Sequence, residues 1–208
     1  MNDRSPASLT RHGAVRSPTA AVLVLHGGQE NDPEPVTARS LSWQRGAMLA
    51  RTLAGRLRAD RVTVRLLRYG TIGWNGTGAD KVADARWALE RLRSELGEVP
   101  VVLVGHSMGG RTACRVADDS SVRGAVVVAP WLPADDPVEA LTGKELHAAH
   151  GRLDQITSAD ATRAYVERAA AVASEATYTD MGERGHYLLR GMGAWNSFTA
   201  DRVRRVLA

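Results

Sequence analysis

The sequence predicts an α/β protein in which a mostly parallel central sheet of about six or seven strands is covered by helices on both faces. Three observations carry this. Short apolar runs rich in Val, Leu and Ala alternate with longer segments whose apolar residues recur every three or four positions, the periods of buried strand and amphipathic helix. A chain of 208 residues with 44% apolar side chains is large enough to bury such a sheet as one domain. Finally, one apolar run ends in a glycine-flanked turn that leads straight into a helical pattern.

Residues 1–18 read as a polar segment with room for one edge strand near Leu9–Val15, and residues 19–208 as the domain. Ala20-Ala21-Val22-Leu23-Val24-Leu25, ending at His26, is the first buried strand. A helix near Thr37–Ala59 follows, with Leu49, Leu53 and Leu57 spaced by four. Strand Val62–Tyr69 precedes a helix near Gly78–Gly97, where Val82, Ala85, Leu89, Leu92 and Leu96 form an unbroken stripe. Val101–Val104 leads through the glycine turn into a short helix, then strand Val122–Ala129. Strand Glu145–His150, helix Ala159–Ser174, strand Ala176–Met181 and a C-terminal helix near Ser197–Leu207 complete the order, which implies right-handed crossovers. The stretch between Trp131 and Glu145 is too short for a cap domain, so the expected pocket is open and roofed by loops.

Composition narrows the function classes. No apolar stretch approaches the roughly 18 residues of a membrane span, and the polar start lacks the apolar core of a secretory signal. A single cysteine, Cys114, excludes an internal disulfide, reads as a small core residue and leaves the cytoplasm as the default location. The net charge of +4 raises nucleic acid as a partner, but basic residues such as Arg51, Arg91, Arg123 and Arg204 are interleaved with acids, and aromatics make up only 5%. No nucleic-acid partner is expected. His12 reads as a surface residue, and His147 and His150 bracket a strand without a partner at metal-ligand spacing, so neither a metal nor another cofactor is expected.

The chemistry concentrates at Gly105-His106-Ser107-Met108-Gly109-Gly110. A strand that ends, reverses sharply and enters a helix leaves a serine at the tip of a turn too tight for side chains on its flanks, hence Gly-x-Ser-x-Gly. The helix that follows aims its first amides at negative charge forming near Ser107. His26-Gly27-Gly28 ends the first buried strand in a second tight turn, which can direct a backbone N–H at an oxyanion, with Met108 N–H as the other donor. An acid and a histidine come late: Asp154 in His150-Gly151-Arg152-Leu153-Asp154 and His186 in Glu183-Arg184-Gly185-His186.

With the order Ser, Asp, His and the two glycine turns, the chain from about Ala20 onward resembles the α/β-hydrolase fold superfamily, specifically its serine esterases, lipases and thioesterases. The resemblance implies that Ser107 is the nucleophile, His186 the general base and Asp154 the acid of a triad, and that Gly28 and Met108 amides form the oxyanion hole. It also implies a single-domain α/β-hydrolase fold. Asp135 and Asp136, after the preceding strand, are the alternative acids, since some members place the acid there. The chain departs from the larger members in its truncated opening hairpin and in having no cap.

Gly27, Trp74 and Trp131 are the candidate substrate-binding residues, because open α/β sheets present ligands at the carboxyl ends of their strands. Trp195 is a weaker candidate, and Gln29, Glu30 and Asp32 read as a solvated loop. His26 reads as a brace for its turn, and His106 as packing beneath the elbow. The implied reaction is hydrolysis of a small-molecule ester or thioester through an acyl-enzyme, without a cofactor. Two other readings stay open: an acyltransferase on the same triad, and a non-catalytic binding protein on this fold. The oligomeric state, the acyl group and the leaving group are not encoded in any motif.

Overall fold

A computed structural model describes residues 6–208. Seven strands alternate with five helices: β1 (Ser8–His12), β2 (Ala20–Leu25), α1 (Leu41–Arg56), β3 (Val62–Arg68), α2 (Ala79–Leu96), β4 (Val101–His106), α3 (Met108–Arg115), β5 (Val122–Val128), β6 (Glu145–His150), α4 (Ala159–Ala169), β7 (Glu175–Asp180) and α5 (Met192–Leu207). The strands form one sheet in the order β1-β3-β2-β4-β5-β6-β7. β1 pairs antiparallel with β3, and every other pairing is parallel.

Burial on both faces explains the unbroken apolar runs of β2 and β4, because a parallel strand with helices above and below has no solvent side. On one face Leu23, Leu25 and Leu103 pack with Ala85, Leu89, Ala113, Tyr165 and Val166, so α2, α3 and α4 lie there. On the other, Val22, Val24 and Val104 pack with Ala50, Leu53, Ala200 and Val203, which places α1 and α5. The expected fold class, with helices on both faces, is the observed one. The link from β5 to β6 holds a single 3-10 turn, Glu139–Leu141, and no cap.

Element ends differ from the sequence reading where tertiary contacts intervene. β1 stops at His12, earlier than the expected Val15, because Gly13 turns the chain at φ +72°. Residues 1–5 of the expected polar start lie outside the described residues. α1 begins at Leu41, not Thr37; the Thr37 amide donates to Ser40 Oγ in a local turn instead of starting a helix. α4 ends at Ala169, short of Ser174, since Gly143 N–H donates to the Val172 carbonyl and Ser174 N–H to the Lys144 carbonyl. α5 starts five residues early, at Met192, after Gly191 at φ +71°.

Candidate active site

β2, β4, β6 and β7 all end on one edge of the sheet, and the turn after each carries part of the site. Ser107 sits between β4 and α3 at φ +54° and ψ −122°, a conformation that non-glycine residues adopt only under constraint. The flanking glycines show the constraint. A Cβ on Gly105 would strike the Gly109 and Gly110 backbone, and one on Gly109 would strike the Leu25 and His26 carbonyls. Ser107 is therefore held beside the end of β2, and Met108 opens α3 with an amide that has no intrahelical acceptor.

The loops after β6 and β7 bring their residues to this serine. His186 Nε2 lies 3.0 Å from Ser107 Oγ, and His186 Nδ1 lies 2.8 Å from Asp154 Oδ2. Burial alone would raise the Asp154 carboxyl, but hydrogen bonds from His150, His186 and the Thr157 and Ile156 amides outweigh it and hold it well below the usual carboxylate range. An ionised carboxylate only accepts, so the proton on this side of His186 is on Nδ1 and Nε2 is left to accept from the serine hydroxyl.

Three features that the motifs did not reveal fix this row. First, His150 Nε2 donates to Asp154 Oδ2 at 3.0 Å, and its Nδ1 lies 2.9 Å from Thr162 Oγ1; both the imidazole and the carboxylate are fully buried. Thr157 Oγ1 adds a bond at 3.0 Å to the same oxygen, while Asp154 Oδ1 takes the Ile156 and Thr157 amides at 2.8 and 2.9 Å. That Asx turn was the one local signal available, since aspartate commonly accepts amides two and three residues on. Second, the two loops are joined: Arg152 N–H donates to Gly182 O at 2.8 Å and Leu153 N–H to Arg184 O at 3.1 Å. Gly151 is required there because a Cβ would collide with the Arg184 carbonyl. Third, His106 Nε2 donates to the His186 carbonyl at 2.9 Å, tethering the base from beneath. Burial, with the neighbouring His186, pushes the His106 imidazole down to about 3 and keeps it neutral.

The β2 turn closes the other side. Gly27 lies against the Ser107 Cβ, and a Cβ on Gly28 would strike the Ile72 carbonyl and the Met108 thioether. His26 braces this turn as expected: Nδ1 donates to Gly27 O at 2.6 Å and Nε2 accepts from Tyr69 N–H at 3.4 Å. Burial pushes its imidazole down to about 4, which favours that neutral tautomer.

A cavity of about 610 Å³ opens above the row, lined by Gly27, Gly28, Gln29, Glu30, Arg45, Trp131, Ile156, Tyr187 and the serine and histidine themselves. Gly27 and Trp131 line it, and so do Gln29 and Glu30, whose sequence reads as a solvated loop. Trp74 does not: it is 2% exposed and packs edge-on against Trp131, ring centroids 6.1 Å apart. Arg111 stacks over both rings at 4.2 and 4.5 Å, and the Trp74 ring is seated against Gly78, where a Cβ would collide with it. The same Arg111 forms a bidentate pair with Asp136 at 2.6 and 2.7 Å, so this alternative acid is engaged elsewhere; Asp135 is exposed. Trp195 is buried with Val128, Ala149 and Met181, away from the cavity. Among the described residues no group of three or more His, Cys, Asp or Glu could hold a metal ion, and no helix is long and apolar enough to cross a membrane.

A strand-elbow-helix serine with a carboxylate and an imidazole on loops after two later strands defines a class, the α/β hydrolases. The chain belongs to the alpha/beta hydrolase family, whose model matches residues 22–208. No curated protein matches it in sequence. Among solved structures, a Xanthomonas campestris α/β serine hydrolase without a lid shares 20% identity and a TM-score of 0.72 over 98% of this chain and 90% of that one. A propionate-bound thermophilic esterase from Thermogutta terrifontis gives 15% and 0.71 over 99% and 90%. A monoacylglycerol lipase from Paleococcus ferrophilus gives 16% and 0.68 over 97% and 99%. At these identities the likeness is one of fold.

Proposed function

We propose that the protein is a serine hydrolase that cleaves a small-molecule ester or thioester through an acyl-enzyme on Ser107. The observation that carries this reading is the continuous row from Ser107 Oγ to His186 at 3.0 Å and from His186 to the ionised Asp154 at 2.8 Å. His186 takes the hydroxyl proton on Nε2 as Ser107 Oγ attacks the acyl carbon, and Asp154 stabilises the imidazolium and holds its orientation. Negative charge builds on the carbonyl oxygen and is met by the Gly28 and Met108 amides. His186 then protonates the departing alcohol or thiol, and a water activated by the same imidazole releases the acid and restores the serine. The elbow glycines, the braced His26 turn and the cavity above them support these roles, and the structural neighbours named as esterase and lipase favour an ester over other acyl bonds.

Ser107→Ala tests the reading with a series of 4-nitrophenyl esters and acyl thioesters. Hydrolysis should fall by at least about 10³-fold with the thermal midpoint nearly unchanged. Retention of more than a tenth of wild-type turnover would overturn the assignment.

A further inference from the structure

Two charged side chains line the cavity above Ser107, the exposed Glu30 at its rim and the half-buried Arg45 in the second turn of α1. Arg45 is the one arginine that lines this cavity, and it takes part in none of the ion pairs among the described residues. Its guanidinium stands 4.7 Å over the Tyr187 ring, and that ring packs edge-on against His186 at 5.4 Å. The cation is therefore one side chain away from the catalytic imidazole. Its field also reaches the floor of the site, where it contributes to disfavouring the charged forms of His26 and His106. A guanidinium at a cavity wall with no carboxylate paired to it can meet an anion that enters the cavity. The fork of guanidinium donors suits planar or tetrahedral oxyanions in particular.

We infer that Arg45 is a specificity-determining residue that receives an oxyanion, a carboxylate or a phosphate, carried by the ester that Ser107 cleaves. This rests on the serine-hydrolase reading. The positive first turn of α1 acts in the same direction: Ser40, Leu41 and Ser42 line the cavity and no acidic residue occupies that turn. A purely structural Arg45 would hold Tyr187 in place and treat charged and neutral substrates alike.

The test compares 4-nitrophenyl hemisuccinate with neutral 4-nitrophenyl butyrate in wild type, Arg45→Gln and Arg45→Lys, alongside calorimetric binding of free succinate and of inorganic phosphate. Arg45→Gln should raise KM for the hemisuccinate at least about tenfold more than KM for the butyrate, and Arg45→Lys should recover part of that difference. Succinate or phosphate should bind the wild type and not Arg45→Gln, and whichever binds identifies the anion. Equal effects on the two esters, or no binding of either anion to wild type, would overturn the inference. Failure of the underlying reading looks different: butyrate hydrolysis would then survive Ser107→Ala.

Discussion

Asp136 and Asp154 follow neighbouring parallel strands at the same edge of the sheet, and both side chains are at most 5% exposed. Their neighbours differ. Asp136 is clamped by Arg111, with Arg115 3.7 Å away, in an ion pair beneath the Trp74 and Trp131 rings. Asp154 meets no cation of fixed charge but two imidazoles, His150 and His186. A carboxylate paired with arginine has its charge satisfied and serves packing, whereas one paired with imidazoles can stabilise a charge that appears only during reaction. The difference lies in what faces each acid, not in burial or in place along the chain.

Exchanging each acid for its amide should break the pair apart. Asp154→Asn keeps the shape but removes the charge and offers His186 the wrong partner, so turnover should fall about 10³- to 10⁴-fold. Asp136→Asn should instead strand the Arg111 charge and lower stability by about 3 kcal/mol in denaturant unfolding, with turnover changed less than about tenfold. If Asp136→Asn cripples turnover while Asp154→Asn is mild, the two regions have been assigned the wrong way round.

His150 sharpens the comparison from the Asp154 side. Loss of a hydrogen bond to a buried charge costs about 1.5 kcal/mol, so His150→Gln should reduce kcat about tenfold with little change in KM. An equal loss in KM alone would place His150 outside the orientation of the acid.

A smaller effect concerns acid stability. The His26 and His106 imidazoles are lowered from an ordinary 6.5 to about 4 and about 3, chiefly by burial. The unfolded chain binds these protons at higher pH than the folded one, so stability is complete above pH 6.5 and is lost as pH falls towards 4. Asp154, whose carboxyl is depressed, acts in the same direction at still lower pH, since the unfolded chain again takes its proton first. Thermal midpoints should be flat from pH 8 to 7 and fall by several degrees by pH 4.5, a window of roughly the His shift. A midpoint constant to pH 4.5 would contradict neutral, buried rings at both positions.

Much of this architecture was legible in the chain. β2 and β4 were readable because strands buried on both faces are unbroken apolar runs, and the elbow because its glycines answer collisions that any turn of this shape would meet. Ser107 and His186 were readable for the same local reason, each lying in a glycine-rich turn after a strand. What was not legible depends on distant partners. Arg111, reaching across from α3, stacks on both the Trp74 and Trp131 rings and, with Arg115, occupies Asp136. Likewise Arg45, which no sequence motif singles out, acquires meaning from Tyr187 on a loop that is remote in sequence.

The central claim is that Ser107 becomes covalently acylated, and rapid-quench intact mass spectrometry tests it most directly. With wild-type protein mixed with a slowly deacylating 4-nitrophenyl ester, a single added acyl mass should appear on the millisecond-to-second scale and map to the peptide containing Ser107. It should decay as the free acid forms and be missing in Ser107→Ala. Turnover with no adduct at Ser107, or an adduct mapping to another residue, would contradict the account.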